Sequence, residues 1–380
     1  MAAATEPTIY DGTVGVVKNT TLLTHTAAKY RPKFVEAVFT ATPFLKSLAL
    51  NAFGRKAMIG DATFGNVTQT TGKGIQFDDG GYQFEFPLAT DSPSGSIIGR
   101  MDTINPEYID PMTGGAYACK RLMHSIYIPE EHIQDNMNEA KLISRLDTKM
   151  KLTQMQAITD INTGILGSSS APTSSPTGLA DLVAVTQTAT IGGIASTNTY
   201  WQNQFRACTS VGGGGELDRP IQLLRSMQAL KLDIRSKSGS TNEQTLVGTR
   251  GAFQYYLRAA YADTTAQARP NQGLKDYYDA DIEHAVFDGR PFIYDGEVTV
   301  PTGATASTEC IYFLDYNTFG VNFKRADYFN QHGGWEMPRV HERGAGSYAM
   351  LLITTRYVPF TTNRRTQGVL YNLPANADAS

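Results

Sequence analysis

Leu223, Met227, Leu230 and Ile234 recur at steps of four, three and four residues, so they share one face of a helix. Asp218 is a good N-cap before them, and Pro220 suits the first turn. The polar run SKSGSTNEQ (236–244) ends that helix. The same rule predicts a longer helix over 129–166. There Ile133, Met137, Ala140, Ile143, Leu146, Met150, Ala157, Ile161 and Ile165 keep the three- and four-residue step. Pro129 fits its first turn, Glu130 and Glu131 complement the positive end of its dipole, and Gly164 and Gly167 stop it. At about 1.5 Å per residue such a helix spans roughly 54 Å. A shorter helix is expected over 33–50, opened by Pro32 and broken or kinked at Pro43.

Elsewhere the period falls to two. In YQFEFPL (82–88), Tyr82, Phe84 and Phe86 point one way and Gln83 and Glu85 the other, with Pro87 ending the strand. SIIGRMDTI (96–104) is expected to pair back onto it across the turn DSPSG. Glycines punctuate the whole stretch 54–112. A two-stranded ribbon of this kind is marginal alone in water. It is therefore expected to lie on another surface. The closing third carries four apolar runs: FDGRPFIYDG (287–296), CIYFLDYNTFGVNF (310–323), YAMLLITTRYVPF (348–360) and TTNRRTQGVLYNL (361–373). These predict one large buried sheet. TLVGTR (245–250) reads as a further strand running into a helix at AFQYYLRAAY, and NTYWQNQF as a short turn that anchors Trp201.

Composition narrows the function classes. Charged residues make up 18% of the 380 residues, below the roughly 25% usual for soluble domains. Together with 19 tyrosines, that suits a chain with extensive protein contacts. Net charge is −3, and no basic stripe marks a dedicated nucleic-acid module. Cys119, Cys208 and Cys310 are far apart, form no CxxC pair, and are expected as reduced thiols. The start MAAATEPTIYDG has neither the basic nor the apolar region of a secretion signal. No continuous apolar run reaches the roughly 18–20 residues of a membrane span.

Candidate chemistry is sparse. VGGGGE (211–216) lacks the Lys and hydroxyl residue of a phosphate loop, and Glu216 would repel phosphate. Lys73 in TTGKG lacks the earlier glycine. Asp276, Asp279, Asp281 and Glu283 could hold a hard cation, but the loop spacing for calcium is missing and a solvated face is the better reading. His25, His124, His132, His284, His332 and His341 form no HExxH or HxH, and Ser347 near His341 and Glu342 sits in no GxSxG elbow. The expectation is a non-enzyme without metal or cofactor. Arg364 and Arg365 are expected in salt bridges between subunits.

FDGRPFIYD, IYFLDYNTFGVNF and LLITTRYVPFTTNRRTQGVLYNL, in that order, resemble the closing pattern of the major capsid proteins of tailed bacteriophages, whose fold is shared by the herpesvirus capsid floor. A turn-flanked G-x-P strand, an aromatic strand and an N-R-R-x-x-G turn carry the resemblance, and GLADLV (178–183) followed by Trp201 adds to it.

The resemblance implies an α+β capsid fold in six parts. These are an N-terminal arm (1–32), a short helical segment (33–53), an extended β-ribbon loop (54–112), a peripheral domain (113–200) with the spine helix 129–166, an axial domain with part of the peripheral sheet (201–345), and a C-terminal strand and tail (346–380). It implies hexamers and pentamers of the chain tiling an icosahedral shell around double-stranded DNA, in the virion and, during assembly, in the host cytoplasm. Tyr82, Phe84, Phe86, Arg364 and Arg365 are then assembly contacts, and Gly54, Gly60 and Gly65 hinges for shell expansion. Partners would be other copies, a scaffolding protein, a portal and a decoration protein, with non-specific contact to packaged DNA and none to membrane. No lysine–asparagine cross-link is expected. A β-rich virion or surface module that binds host polysaccharide through its tyrosines is the alternative.

Overall fold

The computed structural model describes residues 42–59, 74–90, 112–129, 139–168, 176–208, 218–238, 244–262, 284–305, 309–325, 330–336 and 348–373. In chain order these form α1 (Pro43–Ile59), β1 (Ile75–Asp78), β2 (Gln83–Ala89), β3 (Met112–Ala118), β4 (Lys120–Pro129), α2 (Glu139–Leu166) and α3 (Leu179–Leu182). Then come β5 (Thr190–Ile191), β6 (Ile194–Ala195), a 3-10 turn (Thr199–Trp201), β7 (Gln204–Ala207), α4 (Asp218–Ser238), β8 (Gln244–Gly248) and α5 (Arg250–Ala262). The chain closes with β9 (His284–Phe287), β10 (Arg290–Tyr294), β11 (Glu309–Asp315), β12 (Phe319–Lys324), β13 (Asn330–Glu336), β14 (Tyr348–Thr361), a second 3-10 turn (Arg364–Thr366) and β15 (Gly368–Leu373).

The four apolar runs of the closing third divide between two sheets rather than building one. A six-stranded sheet runs β7-β15-β11-β8-β10-β9, and a five-stranded sheet holds β1, β12, β14, β13 and β4. The division falls inside CIYFLDYNTFGVNF. Asp315 Oδ1 accepts from the Asn317 backbone N–H, and Thr318 N–H donates back to Asp315 O, so the segment turns and enters the other sheet at Phe319. A buried aromatic run carries no mark of which sheet its strand joins.

The six-stranded sheet is buried on both faces. Along β11, Ile311 and Phe313 face the core beneath α4 and α5, while Cys310, Tyr312 and Leu314 face a second, larger core. Leu223, Met227, Leu230 and Ile234 of α4 are fully buried against the first of these. Each such aliphatic side chain contributes about 1.5–3 kcal/mol of gross burial energy. The β9–β10 hairpin turns at Asp288 and Gly289, both at positive φ (49° and 75°), the geometry of a two-residue hairpin turn.

β14 organises the five-stranded sheet. It pairs with β4 from Tyr348 to Tyr357, and residues 350–354 pair on the other edge with β13. Its last part, 357–361, pairs with β12. The second core lies here and includes Ala157, Ile158, Ile161, Ile165 and Leu166 of α2 and Phe44, Leu45 and Leu48 of α1.

Three expectations shift. Pro129 ends β4, opposite Tyr348, instead of opening the long helix. That helix is described over 28 residues, Glu139–Leu166, about 42 Å at 1.5 Å per residue; Glu130, Glu131, Ile133 and Met137 lie outside the described residues. Pro43 begins a helix instead of breaking one, because its missing N–H costs nothing in the first turn. Gly54 sits inside α1 and is no ribbon hinge; Gly60 and Gly65 lie outside the described residues, as do the arm 1–32, Lys73 and 96–104.

Candidate assembly surfaces

β2 pairs antiparallel with β3, with Phe84 opposite Tyr117 and Phe86 opposite Gly115. The partner strand is thus 112–118, so the ribbon closes over a longer connection than the DSPSG turn. Period-two alternation decides which side chains turn inward: Phe84 and Phe86 are 8% and 6% exposed, while Gln83, Glu85 and Pro87 face out. The inner rings rest on the chain's own body. Phe84 lies 4.3 Å from Phe360, and Phe86 lies 5.7 Å from both Tyr117 and Trp201. Gly115 makes room for Phe86, since a Cβ there would fall 2.3 Å from the ring. Tyr117 Oη donates to Thr361 O at 3.0 Å, and Trp201 Nε1 donates to Ile191 O at 2.9 Å.

Phe84 and Phe86 therefore do not wait for a neighbour to cover them. The expectation failed because sequence alternation shows that a face is apolar without showing which surface takes it. Tyr82 behaves differently. It precedes β2, escapes the alternation, and is 70% exposed. Met112, opposite the other end of β2, is 64% exposed. Beside Met112 an open hollow of about 620 Å³ is lined by Glu85, Phe86, Pro87, Thr113, Gly114 and Gly115 among others.

The arginine pair separates in the same way. Arg364 is fully buried. Its Nε donates to Leu182 O (2.9 Å), Nη1 to Ser196 Oγ and Trp201 O (both 3.1 Å), and Nη2 to Asn203 Oδ1 (2.8 Å). No carboxylate is among these partners. Burial lowers its pKa to about 10, opposed by Tyr117, so the guanidinium stays charged at neutral pH. It is an internal clamp, not a bridge between subunits. The surrounding NRRTQ segment positions it: Asn363 Oδ1 caps the turn at Arg365 N–H, and the Gln367 side chain brackets Asp315 and Thr318. Arg365 is half-buried on the other side of the turn.

A second junction carries no sequence signal at all. Asp295, 3% exposed, accepts from the Phe44 backbone N–H (3.3 Å), the Asn162 amide (3.1 and 3.2 Å) and the Glu297 N–H (3.0 Å). One carboxylate thus caps α1, anchors α2 and closes the loop after β10. Burial pushes its pKa up, against the pull of its hydrogen bonds.

Among the described residues no group of three or more His, Cys, Asp or Glu gathers to hold a metal, and no helix is long and apolar enough to cross a membrane. His124 Nε2 lies 3.6 Å from Asp160 Oδ2, and His284 is buried on β9. His25, His132, His341, Ser347, the glycine run 212–215 and the acidic set Asp276, Asp279, Asp281 and Glu283 lie outside the described residues. Cys119 and Cys310 are buried free thiols, and Cys208 is a half-buried one. Of the tyrosines, Tyr82 stands exposed on the ribbon, and the exposed Phe205 lies beside the half-buried Tyr371, with centroids 6.4 Å apart.

No protein-family model matches the chain, and no curated protein matches its sequence. Solved structures do match. The capsid asymmetric unit of cyanophage A-1(L) aligns with a TM-score of 0.53 at 11% identity, over 79% of this chain and 90% of that one. This chain has the tailed-phage capsid fold. The mature capsid of bacteriophage PhiM1 aligns at 0.48 with 10% identity (80% and 87% covered). An encapsulin complex from Synechococcus elongatus aligns at 0.45 with 12% identity (80% and 87%). The α+β class expected from the sequence is the class of this capsid fold, with helix α2 beside the five-stranded sheet and α4 and α5 on the six-stranded one.

Proposed function

We propose that the chain is the major capsid subunit of a tailed phage, a structural protein without enzymatic activity. Copies assemble as hexamers and pentamers into an icosahedral shell around double-stranded DNA. The observation that carries this is the likeness to the cyanophage A-1(L) capsid over four-fifths of the chain. In this reading the five-stranded sheet with α2 is the peripheral domain, the six-stranded sheet with α4 and α5 the axial domain, and 1–32 the arm. The ribbon offers neighbours its outer face, where Tyr82 and Met112 stand exposed, and Arg365 is a further contact. Many weak copies of such contacts around a closed shell give a durable container. Scaffolding, portal and decoration proteins are its partners, the virion its location, and the host cytoplasm its place of assembly.

Negative-stain electron microscopy with sedimentation velocity on the expressed full chain tests the reading. Closed particles, or hexamers and pentamers on the way to them, are expected. A compact monomer that persists at high concentration would end it.

A further inference from the structure

Helix α4 buries one face and turns another to solvent. Arg225, Gln228, Leu232 and Arg235, at steps of three, four and three, are all exposed. Lys231 flanks this stripe and pairs with Asp288 at the tip of the β9–β10 hairpin. That pairing brings Arg290, two residues on, to the same place. Lys231 shows the crowding: burial lowers its pKa, and the charges of Arg290 and Arg235 lower it further. Asp288 is engaged by Lys231, and Asp233, the other carboxylate of this part of the helix, by Arg206 at 3.2 Å. Among the described residues no carboxylate pairs with Arg225, Arg235 or Arg290. A chain of net charge −3 thus gathers unbalanced positive charge on one small surface.

From this juxtaposition we propose that Lys231, Arg235 and Arg290 form a contact for the phosphodiester backbone of a nucleic acid. Lys231 and Arg235 stand one helical turn apart, about 6 Å, so they address neighbouring phosphates of one strand. The cations are assigned to phosphate oxygens, which position a nucleic acid without carrying sequence information, so the contact proposed is sequence-independent. The choice of double-stranded DNA as the occupant rests on the shell reading above; the chemistry of the cluster serves any phosphodiester.

The test is fluorescence anisotropy of the full-length protein, kept below the concentration at which particles sediment, with a mixed-sequence duplex DNA and, in parallel, a single-stranded RNA. Three phosphate contacts give a slope of log K against log salt near −2.7 for duplex, and losing two makes it shallower by about 1.8. The double variant R235Q/R290Q is expected to show that loss, with R235Q alone, at an exposed position, giving about half of it. Arg325→Gln, an exposed arginine paired with Asp79, is expected to leave the slope unchanged. Tighter binding to duplex than to RNA would name DNA as the occupant. Equal slopes for wild type and R235Q/R290Q overturn the assignment. So does a steeper slope when Asp276, Asp279, Asp281 and Glu283 are neutralised, which would put that acidic segment on the cluster. Sedimentation of the same samples at higher concentration keeps the two proposals apart. Shells without cluster-dependent binding overturn only this one, and cluster-dependent binding without shells overturns only the capsid role.

Discussion

The ring of Phe86 stacks on the indole of Trp201, with centroids 5.7 Å apart and planes 22° from parallel. The contact joins β2 of the ribbon to the turn that leads into the six-stranded sheet. The ribbon therefore arrives at any assembly event already seated, and its inner aromatic face belongs to the stability of one subunit.

Phe86→Ala should cost about 3–5 kcal/mol, the usual range for emptying a buried aromatic site. Urea unfolding followed by tryptophan fluorescence measures it. A midpoint equal to wild type would mean that the ribbon is not held at Trp201.

Gly115→Ala should destabilise as well, by about 1–3 kcal/mol, because the new methyl meets the Phe86 ring. The pair is coupled. In the double variant with Phe86→Leu the two costs should add to less than their sum, and a double-mutant cycle on unfolding free energies reads the difference.

Arg364→Met should be among the most damaging single changes, at about 3–5 kcal/mol. It fills similar volume but takes the arginine's donors from Leu182 O and Trp201 O, and leaves Asn203 Oδ1 with the Gln187 amide alone. Arg364→Lys recovers only part, since an ammonium cannot span the fork of partners. Thermal melts of the three proteins should rank wild type, Lys, Met.

Asp295 makes a pH prediction. Its folded pKa lies above the unfolded value of 3.8, so the folded state holds the extra proton. The associated stability is present at low pH and is lost as pH rises from about 3.8 through the folded pKa. The free-energy difference between wild type and Asp295→Asn should therefore shift against wild type as pH rises across that window. Urea titrations at a series of pH values check the sign, and the reverse trend would sink the assignment of burial as the dominant cause.

Tyr82→Ser with Met112→Ser should change stability by no more than about 0.5 kcal/mol, as expected of exposed sites, while weakening self-association. Sedimentation velocity alongside unfolding separates the two effects. Unaltered particle formation would remove the outer ribbon face from the assembly contacts.

Local periodicity made α4 and its four buried residues legible, because that signal lies within a few residues, whereas reading FDGRPFIYDG as a single run passed over the hairpin at Asp288-Gly289. Nonlocal choices were not legible. Nothing in MTGGAYA marks it as the partner of QFEFPLA, since antiparallel register is settled by packing across distant segments. Arg364 was misplaced because charge normally marks a surface. Here backbone carbonyls from α3 and the Trp201 turn replace water, and carbonyl positions leave no trace in side-chain identity. Pro129 was misplaced because a proline suits a helix start and a strand end equally well.

The passage from β11 to β12 through Asp315 and Thr318 puts one uninterrupted stretch of backbone into the middle of both sheets. Gln367 ties that corner to the start of β15. Force applied to either sheet is thus carried to the other by covalent bonds with little slack. Any change in the angle between the two sheets therefore has to act on this corner.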